Sequence, residues 1–182
     1  ERFQEMVNYV KKDQDVTRYA PFITCNFEVI NQEGVPENLY VETGDFTIFP
    51  VDYLKGGAPL NSSEIALSYL SADELEKKVG DKVELIRNGK RRTMTVSGIY
   101  QDITNGGKTA KSCIEPDHKT ASWYTINLNV NRNVSRKAAE YKNMFKEVKV
   151  TDIKGYIQQT FSNTIAQLEL LTFTAIIIAG LV

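Results

Sequence analysis

Residues 56–100 read GGAPLNSSEIALSYLSADELEKKVGDKVELIRNGKRRTMTVSGIY and contain the strongest local structural signals in the chain. Ser71 and Glu74 have the spacing of a capping box, in which a serine hydroxyl and a carboxylate bind the free amides at a helix start. We therefore expect a short helix that begins at Ala72 and ends at Gly80, because glycine readily takes the left-handed conformation that terminates a helix. The stretch shows no catalytic motif.

A β-hairpin is predicted directly after this helix. Two runs of strand-forming residues, 83–86 and 93–96, flank Asn88-Gly89. Asn-Gly favours a two-residue hairpin turn, since both residues accept the positive φ angles that such a turn requires. A two-residue loop places Leu85 opposite Arg92, an apolar residue against a cation, so a longer loop with a shifted register is the alternative.

The size and charge of the chain narrow the classes of protein. The chain has 182 residues and a formal charge of −1. This length corresponds to one domain or two small ones and is sufficient to bury a core. The densest basic cluster, Lys90-Arg91-Arg92, lies beside the predicted hairpin turn, where charged side chains are usually solvated. The composition therefore argues against a protein that binds nucleic acid.

Apolar periodicity predicts helices and strands on both sides of the opening stretch. The segment from Asp102 to Lys119 has few apolar residues and is predicted to be an exposed loop. The other predicted elements are a helix from Arg2 to Lys12, strands at 22–30, 38–42, 64–68, 124–130 and 148–153, a helix capped by Ser135, and a long helix from Tyr156. The architecture is α+β: an outer lobe built from both ends of the chain and a β-rich insertion between them.

The C-terminal end has the composition of a membrane segment. Residues 170–182 carry no charged side chain, and a spanning helix needs roughly 20 apolar residues. We interpret this run as the first part of a membrane helix; a buried C-terminal helix is the alternative. The start of the chain shows no cleavable signal segment, so we expect the sequence to be a piece of a longer protein.

Residues that could carry chemistry are few. The single histidine, His118, lies near Cys113, Glu115 and Asp117, but no second pair of ligands accompanies it, so a metal site is not favoured. The run 106–109, GGKT, imitates the end of a phosphate-binding loop but lacks the earlier glycine of that motif. The sequence therefore predicts no enzyme, no metal and no cofactor.

The two cysteines leave two readings open. Cys25 and Cys113 are too few for a disulfide framework and lack the spacing of a zinc site. They are either buried free thiols or one disulfide bond, which would require an oxidising compartment.

The order of the motifs resembles a known family. Gly-Gly-x-Pro at 56–59, NSSEIAL at 61–67, Val-Gly-Asp at 79–81 and VSGIY at 96–100 follow one another in the chain, which ends in the apolar run. This order is similar to the extracytoplasmic, MacB-like periplasmic core domain of the FtsX/MacB-type ABC transporter permeases. The resemblance covers nearly the whole chain, although each motif alone is weak.

The resemblance implies a domain on the extracellular or periplasmic side of the cell membrane, between two spanning helices of a permease. It implies a porter-like α+β lobe formed by residues 1–34 and 112–157, an inserted β-rich lobe at 35–111, and a stalk with the start of a transmembrane helix at 158–182. The implied partner is a cytoplasmic ABC ATPase, reached through the rest of the permease. Because Cys25 and Cys113 flank the insertion, a disulfide bond between them would join its two ends.

The resemblance suggests two alternative functions. The first is non-catalytic mechanotransmission, in which ATP-driven motion is coupled across the membrane to the export or handling of a peptide, lipid or lipoprotein. Its coupling residues form the stripe of the stalk helix: Tyr156, Ile157, Phe161, Ile165 and Leu168. The alternative is a sensor or scaffold that binds an antimicrobial peptide or a cell-wall hydrolase. Its surface is the aromatic group of Phe46, Phe49 and Tyr53 with the loop at 102–119, for which core packing is the competing interpretation.

Overall fold

The computed structural model describes residues 2–102, 104–131, 133–156, 158–159 and 162. It confirms the α+β class, because a large mixed sheet is combined with a few helices. The helices are α1 Arg2–Lys12, α2 Tyr69–Glu74 and α3 Val134–Met144, and the strands are β1 Val16–Ile30, β2 Pro36–Gly44, β3 Tyr53–Gly56, β4 Glu64–Ser68, β5 Lys82–Arg87, β6 Lys90–Tyr100, β7 Thr109–Ser112 and β8 Ala121–Val130.

Six strands close into a ring. Their order is β1-β2-β7-β4-β6-β5, and β5 pairs again with β1, while β8 attaches to β1 and β3 to β6. The β2–β7 and β4–β6 pairs are parallel, and the remaining pairs of the ring are antiparallel. A closed ring removes the free strand edges that an open sheet would expose.

The main core lies inside this ring. Each ring strand contributes alternate residues to one apolar cluster, as expected when successive side chains point to opposite faces of a strand. Helix α2 adds Ala72 to the cluster, and the residue that follows the helix, Leu75, adds a second side chain. The strand members are Ile23, Cys25, Phe27, Val29, Leu39, Val41, Ile65, Leu67, Val83, Leu85, Met94, Val96, Ile99 and Ala110.

The division into lobes stays a prediction. Strands β1 and β2 lie on either side of the proposed boundary at residues 34 and 35, and they pair from Phe22↔Gly44 to Ile30↔Pro36. Strands assigned to the outer lobe and to the insertion therefore belong to one hydrogen-bonded sheet. By compactness, residues 1–129 form one unit and residues 130–182 a second.

The predicted hairpin is confirmed in its two-residue form. Asn88 and Gly89 have φ angles of 49° and 73°, which are the left-handed values of a primed turn. Leu85 does lie opposite Arg92. Leu85 is buried, whereas Arg92 is exposed, because a long cationic side chain can reach water from an apolar surface.

The predicted start and end of α2 are wrong. The helix begins at Tyr69 with Ser68 as its N-cap, and Ser68 Oγ accepts the amide of Ser71 at 3.2 Å. Ser68 Oγ also donates to the carbonyl of Gly107, so a contact remote in sequence selects the earlier serine. The helix ends at Glu74, well before Gly80.

The prediction of an exposed loop over residues 102–119 is wrong at its centre. Strand β7 lies there, inserted between β2 and β4, and Ala110 is fully buried between Val41 and Leu67. Its sequence, TAKS, contains a single apolar residue, Ala110, and is placed as a strand by its pairing with β2 and β4. Apolar periodicity cannot reveal such a strand.

Two predictions near the C-terminal end also need correction. Helix α3 is capped by Asn133, whose side chain accepts the amide of Arg136 at 3.0 Å, and not by Ser135. Residues 149–152 form no strand, and residues 153–156 are already helical. The valines at 148 and 150 alternate as in a strand, but short alternation does not by itself supply a pairing partner.

A substitution at Gly98 tests how closely β3 approaches β6. A Cβ atom at Gly98 would collide with the carbonyl of Gly57 and lie 2.8 Å from Tyr53 Cδ1. We expect Gly98→Ala to lower the free energy of unfolding by about 1–3 kcal/mol, the usual cost of overpacking, measured by urea denaturation. Gly57→Ala is the matched control, because nothing lies within 4 Å of its Cβ position. Equal stability of the two variants would contradict this packing.

Candidate coupling segment and partner surface

A polar cluster around Asp152 lies just before Tyr156, the first residue of the predicted coupling stripe. Asp152 Oδ1 accepts the amide of Gly155 at 2.9 Å, and its carbonyl accepts the amide of Tyr156 at 2.9 Å. Its Oδ2 accepts the hydroxyl of Ser135 at 2.9 Å. The backbone amide of Gly155, followed by the Ser135 hydroxyl, lowers the pKa of the Asp152 carboxyl. One carboxylate therefore caps the first stalk turn and ties it to the first turn of α3.

Only the first residue of the predicted coupling stripe can be placed. Tyr156 is 63% exposed. Ile157, Phe161, Ile165 and Leu168 lie outside the described residues, as does the apolar run at 170–182. Within the part of the chain that is described, no helix has the length and apolar character needed to cross a membrane. The stalk assignment stays a prediction.

The predicted aromatic surface is largely buried. Phe46 is only 5% exposed and stacks on Phe22 with ring centroids 5.1 Å apart. Phe49 and Tyr53 are half-buried. The guanidinium of Arg18 lies 5.2 Å from the centre of the Phe49 ring. Phe46 is thus a core residue of a second apolar cluster with Ala20 and Phe22, and it is not part of an exposed patch.

Lys111, which sequence reasoning placed in a loop, is the main charge beside these rings. Its Nζ lies 5.0 Å from the centre of the Phe46 ring and 5.1 Å from that of Tyr100. It also pairs with Glu42 at 2.6 Å, with only 13% of the lysine side chain and 24% of the glutamate side chain exposed. The ammonium group is therefore held by two aromatic faces and one carboxylate.

Two tyrosines next to this cluster are shielded from water. The Tyr100 hydroxyl shares a hydrogen bond of 2.9 Å with Thr109 Oγ1, which in turn donates to Asp102 at 2.8 Å. Burial raises the pKa of Tyr100 and that of Tyr53. The Tyr53 hydroxyl is buried without a hydrogen-bond partner in the described part of the chain. These hydroxyls stay protonated at physiological pH.

The two cysteines are free thiols in this structure, so the disulfide bond suggested by their positions is not formed. Cys113 Sγ lies 3.2 Å from the carbonyl oxygen of Pro59, and Cys25 Sγ lies 3.9 Å from that of Asp117. Burial raises the pKa of the Cys113 thiol, and Asp45 and Glu64 add to the effect. A thiol with a raised pKa is a weak nucleophile near neutral pH.

The groups considered for catalysis have structural partners. His118 stacks on Tyr124 with ring centroids 6.1 Å apart, and its carbonyl accepts the Tyr124 hydroxyl. The carbonyl of Gly107 accepts from buried Ser68, so this glycine turn supports α2. Among the described residues, no group of three or more His, Cys, Asp and Glu side chains is arranged to hold a metal ion.

Three solved structures share this arrangement of elements. The periplasmic region of MacB from Actinobacillus actinomycetemcomitans aligns with a TM-score of 0.56 and 11% identity, over 85% of this chain and 82% of that one. The extracellular domain of the noncanonic ABC-type transporter YknZ from Gram-positive bacteria aligns with a TM-score of 0.55 and 12% identity, over 81% and 85%. The fold is that of an extracytoplasmic permease domain.

A third structure with the permease-domain fold is a domain of a protein described as a permease from Porphyromonas gingivalis. Its TM-score is 0.51 at 12% identity, over 79% of this chain and 69% of that one. No protein-family model matches the sequence, and no curated protein matches it at a significant level. The fold predicted from the motif order is therefore confirmed by structure.

Truncation of Lys111 tests how much its contacts with Phe46, Tyr100 and Glu42 stabilise the fold. We expect Lys111→Ala to lower the free energy of unfolding by about 1–3 kcal/mol, because it removes two cation–π contacts and leaves a half-buried carboxylate unpaired. Arg91→Ala is the control, since the Arg91 side chain is 66% exposed in its pair with Glu84 and should cost less than about 0.5 kcal/mol. Urea denaturation of both variants measures the difference, and equal losses would contradict the structural role of Lys111.

The Asp152 cap predicts a pH response at the start of the stalk. Because the folded pKa is lowered, the capping stabilisation is present above the ordinary value of 3.8 and is lost as the pH falls through the lower folded value. In NMR titrations, the Gly155 amide shift should therefore have a midpoint below 3.8. Ser135→Ala should raise that midpoint and Asp152→Asn should abolish the transition. A wild-type midpoint at or above 3.8 would count against the cap.

Proposed function

We propose that this chain is a non-catalytic extracytoplasmic domain of an ABC transporter permease, located on the extracellular or periplasmic side of the cell membrane. The observation that carries the proposal is the fold shared with the MacB periplasmic region and the YknZ extracellular domain over more than four fifths of each chain. The motif order within residues 56–100 supports the same assignment independently.

The proposed mechanism is mechanical. ATP hydrolysis by a cytoplasmic ABC ATPase moves the spanning helices, and the stalk passes that displacement to the domain, which acts on a peptide, lipid or lipoprotein substrate outside. Close-packed interiors transmit displacement because they have low compressibility. The ring, with its alternating buried residues, and the Asp152 cap, which fixes the stalk start to α3, are consistent with a domain that moves as stiff parts.

In this proposal the coupling residues are Tyr156, Ile157, Phe161, Ile165 and Leu168. They form one face of a helix if the helical residues at 153–156 continue toward the apolar run at 170–182. The alternative of a sensor that uses Phe46, Phe49 and Tyr53 has weaker support, because Phe46 packs inward.

The test uses the full-length permease reconstituted with its ATPase in proteoliposomes. Ile165→Pro should break the stalk helix, since proline removes a backbone donor and clashes with the preceding turn. Ile165→Ala is the matched control, because alanine shortens the side chain but keeps the helix. We expect ATP hydrolysis to persist in both variants and substrate movement to be lost only in the proline variant.

Retained transport in the proline variant would overturn the coupling role of the stalk. The assignment to a transporter has a separate readout, namely co-purification of an ABC ATPase with the full-length protein. A full-length protein that binds no ATPase would overturn the transporter assignment itself.

A further inference from the structure

The ring has one weakly paired junction. Neighbouring ring strands are joined by three to nine residue pairs, whereas β1 and β5 share only the pair Glu28↔Ile86. We call this junction the seam. Strand pairing contributes through each cross-strand contact, and the seam has the fewest such pairs of any junction in the ring.

One side chain bridges the seam. Arg87, the last residue of β5, places its guanidinium 5.0 Å from the centre of the Phe27 ring on β1. It also donates to the carbonyl of Thr120 at 2.6 Å and to the Thr120 hydroxyl. Thr120 precedes β8, so Arg87 reaches from β5 across β1 to the start of β8. We call these contacts the Arg87 clamp.

Thr120, which accepts the hydrogen bonds of Arg87, is itself held in place by hydrogen bonds to Asp117. Thr120 Oγ1 donates to Asp117 Oδ2 at 2.7 Å, and Asp117 Oδ1 accepts the amide of Lys119 at 3.0 Å. The carbonyl of Asp117 lies 3.9 Å from Cys25 Sγ. Cys25 belongs to the ring core and is 3% exposed, so its thiol is a native probe beside the seam.

We propose that the ring opens at the β1–β5 seam without global unfolding, and that the Arg87 clamp holds it closed. Opening separates β5 and its hairpin partner β6 from β1, while the nine pairs between β1 and β2 keep the opposite side of β1 attached. This inference does not depend on the transporter assignment.

The experiment measures thiol labelling in the 182-residue chain carrying Cys113→Ser, which leaves Cys25 as the single thiol. Seam opening exposes less surface than global unfolding, so the labelling rate should depend on urea less steeply than global unfolding does. Arg87→Met should raise that rate about tenfold or more, as expected for the loss of hydrogen bonds to a charged group. Arg87→Lys is a second, milder variant that keeps the charge but loses the planar stacking.

Arg91→Met is the matched control, because Arg91 lies on the other side of the same hairpin turn and contacts Glu84 within the hairpin. It should leave the labelling rate unchanged. Equal acceleration by Arg87→Met and Arg91→Met would overturn the role of the clamp.

Two further single-thiol chains separate ring opening from motion of residues 117–120 alone. In a Cys25→Ser, Cys113→Ser background, V83C places a thiol on β5 and A110C places one on β7, both at buried core positions. Seam opening labels the V83C thiol as it does Cys25, while the A110C thiol reacts only through global unfolding. The proposal is overturned if the V83C thiol is as protected as the A110C thiol, or if Cys25 labelling follows the urea dependence of global unfolding.

Discussion

The pairing of β1 with β2 is the contact on which the rest of the structure depends. Strand β1 has 15 residues, long enough to pair with β2 through nine residue pairs and also to meet β5 and β8. Strand β1 thereby joins β2 and β5, which come from the first half of the chain, to β8, which follows much later in the sequence. Without this pairing the ring would be an open sheet with exposed edges, and its apolar interior would have no closed boundary.

A second set of contacts lies outside the ring and is polar as well as aromatic. Lys111 is held between Phe46 and Tyr100 and paired with Glu42, so the segment after β2 is bound to the ring surface through Phe46. A partly buried charge is tolerated only where its partners are in place. Because the Phe46 ring contacts the Lys111 ammonium group, it is held in one position, and it is not exposed to solvent.

A fold shared with permease domains and a mechanical role fit together because the structure combines stiff and weak parts. The ring interior holds one apolar cluster, yet the β1–β5 seam has a single residue pair. Asp152 accepts the hydroxyl of Ser135, which ties the helical turn at 153–156 to the first turn of α3.

Local sequence alone determined the features whose causes are local. The Asn88-Gly89 turn set the hairpin register, and the apolar stripe of residues 2–12 determined α1 with its observed bounds. The order of motifs in 56–100, together with the apolar run at the end of the sequence, predicted the fold through its resemblance to a known family. Tertiary structure decided the rest: the Gly107 carbonyl selected Ser68 over Ser71 as the cap of α2, and β2 and β4 made a strand of TAKS. These outcomes depend on partners distant in sequence, whose positions no local pattern contains.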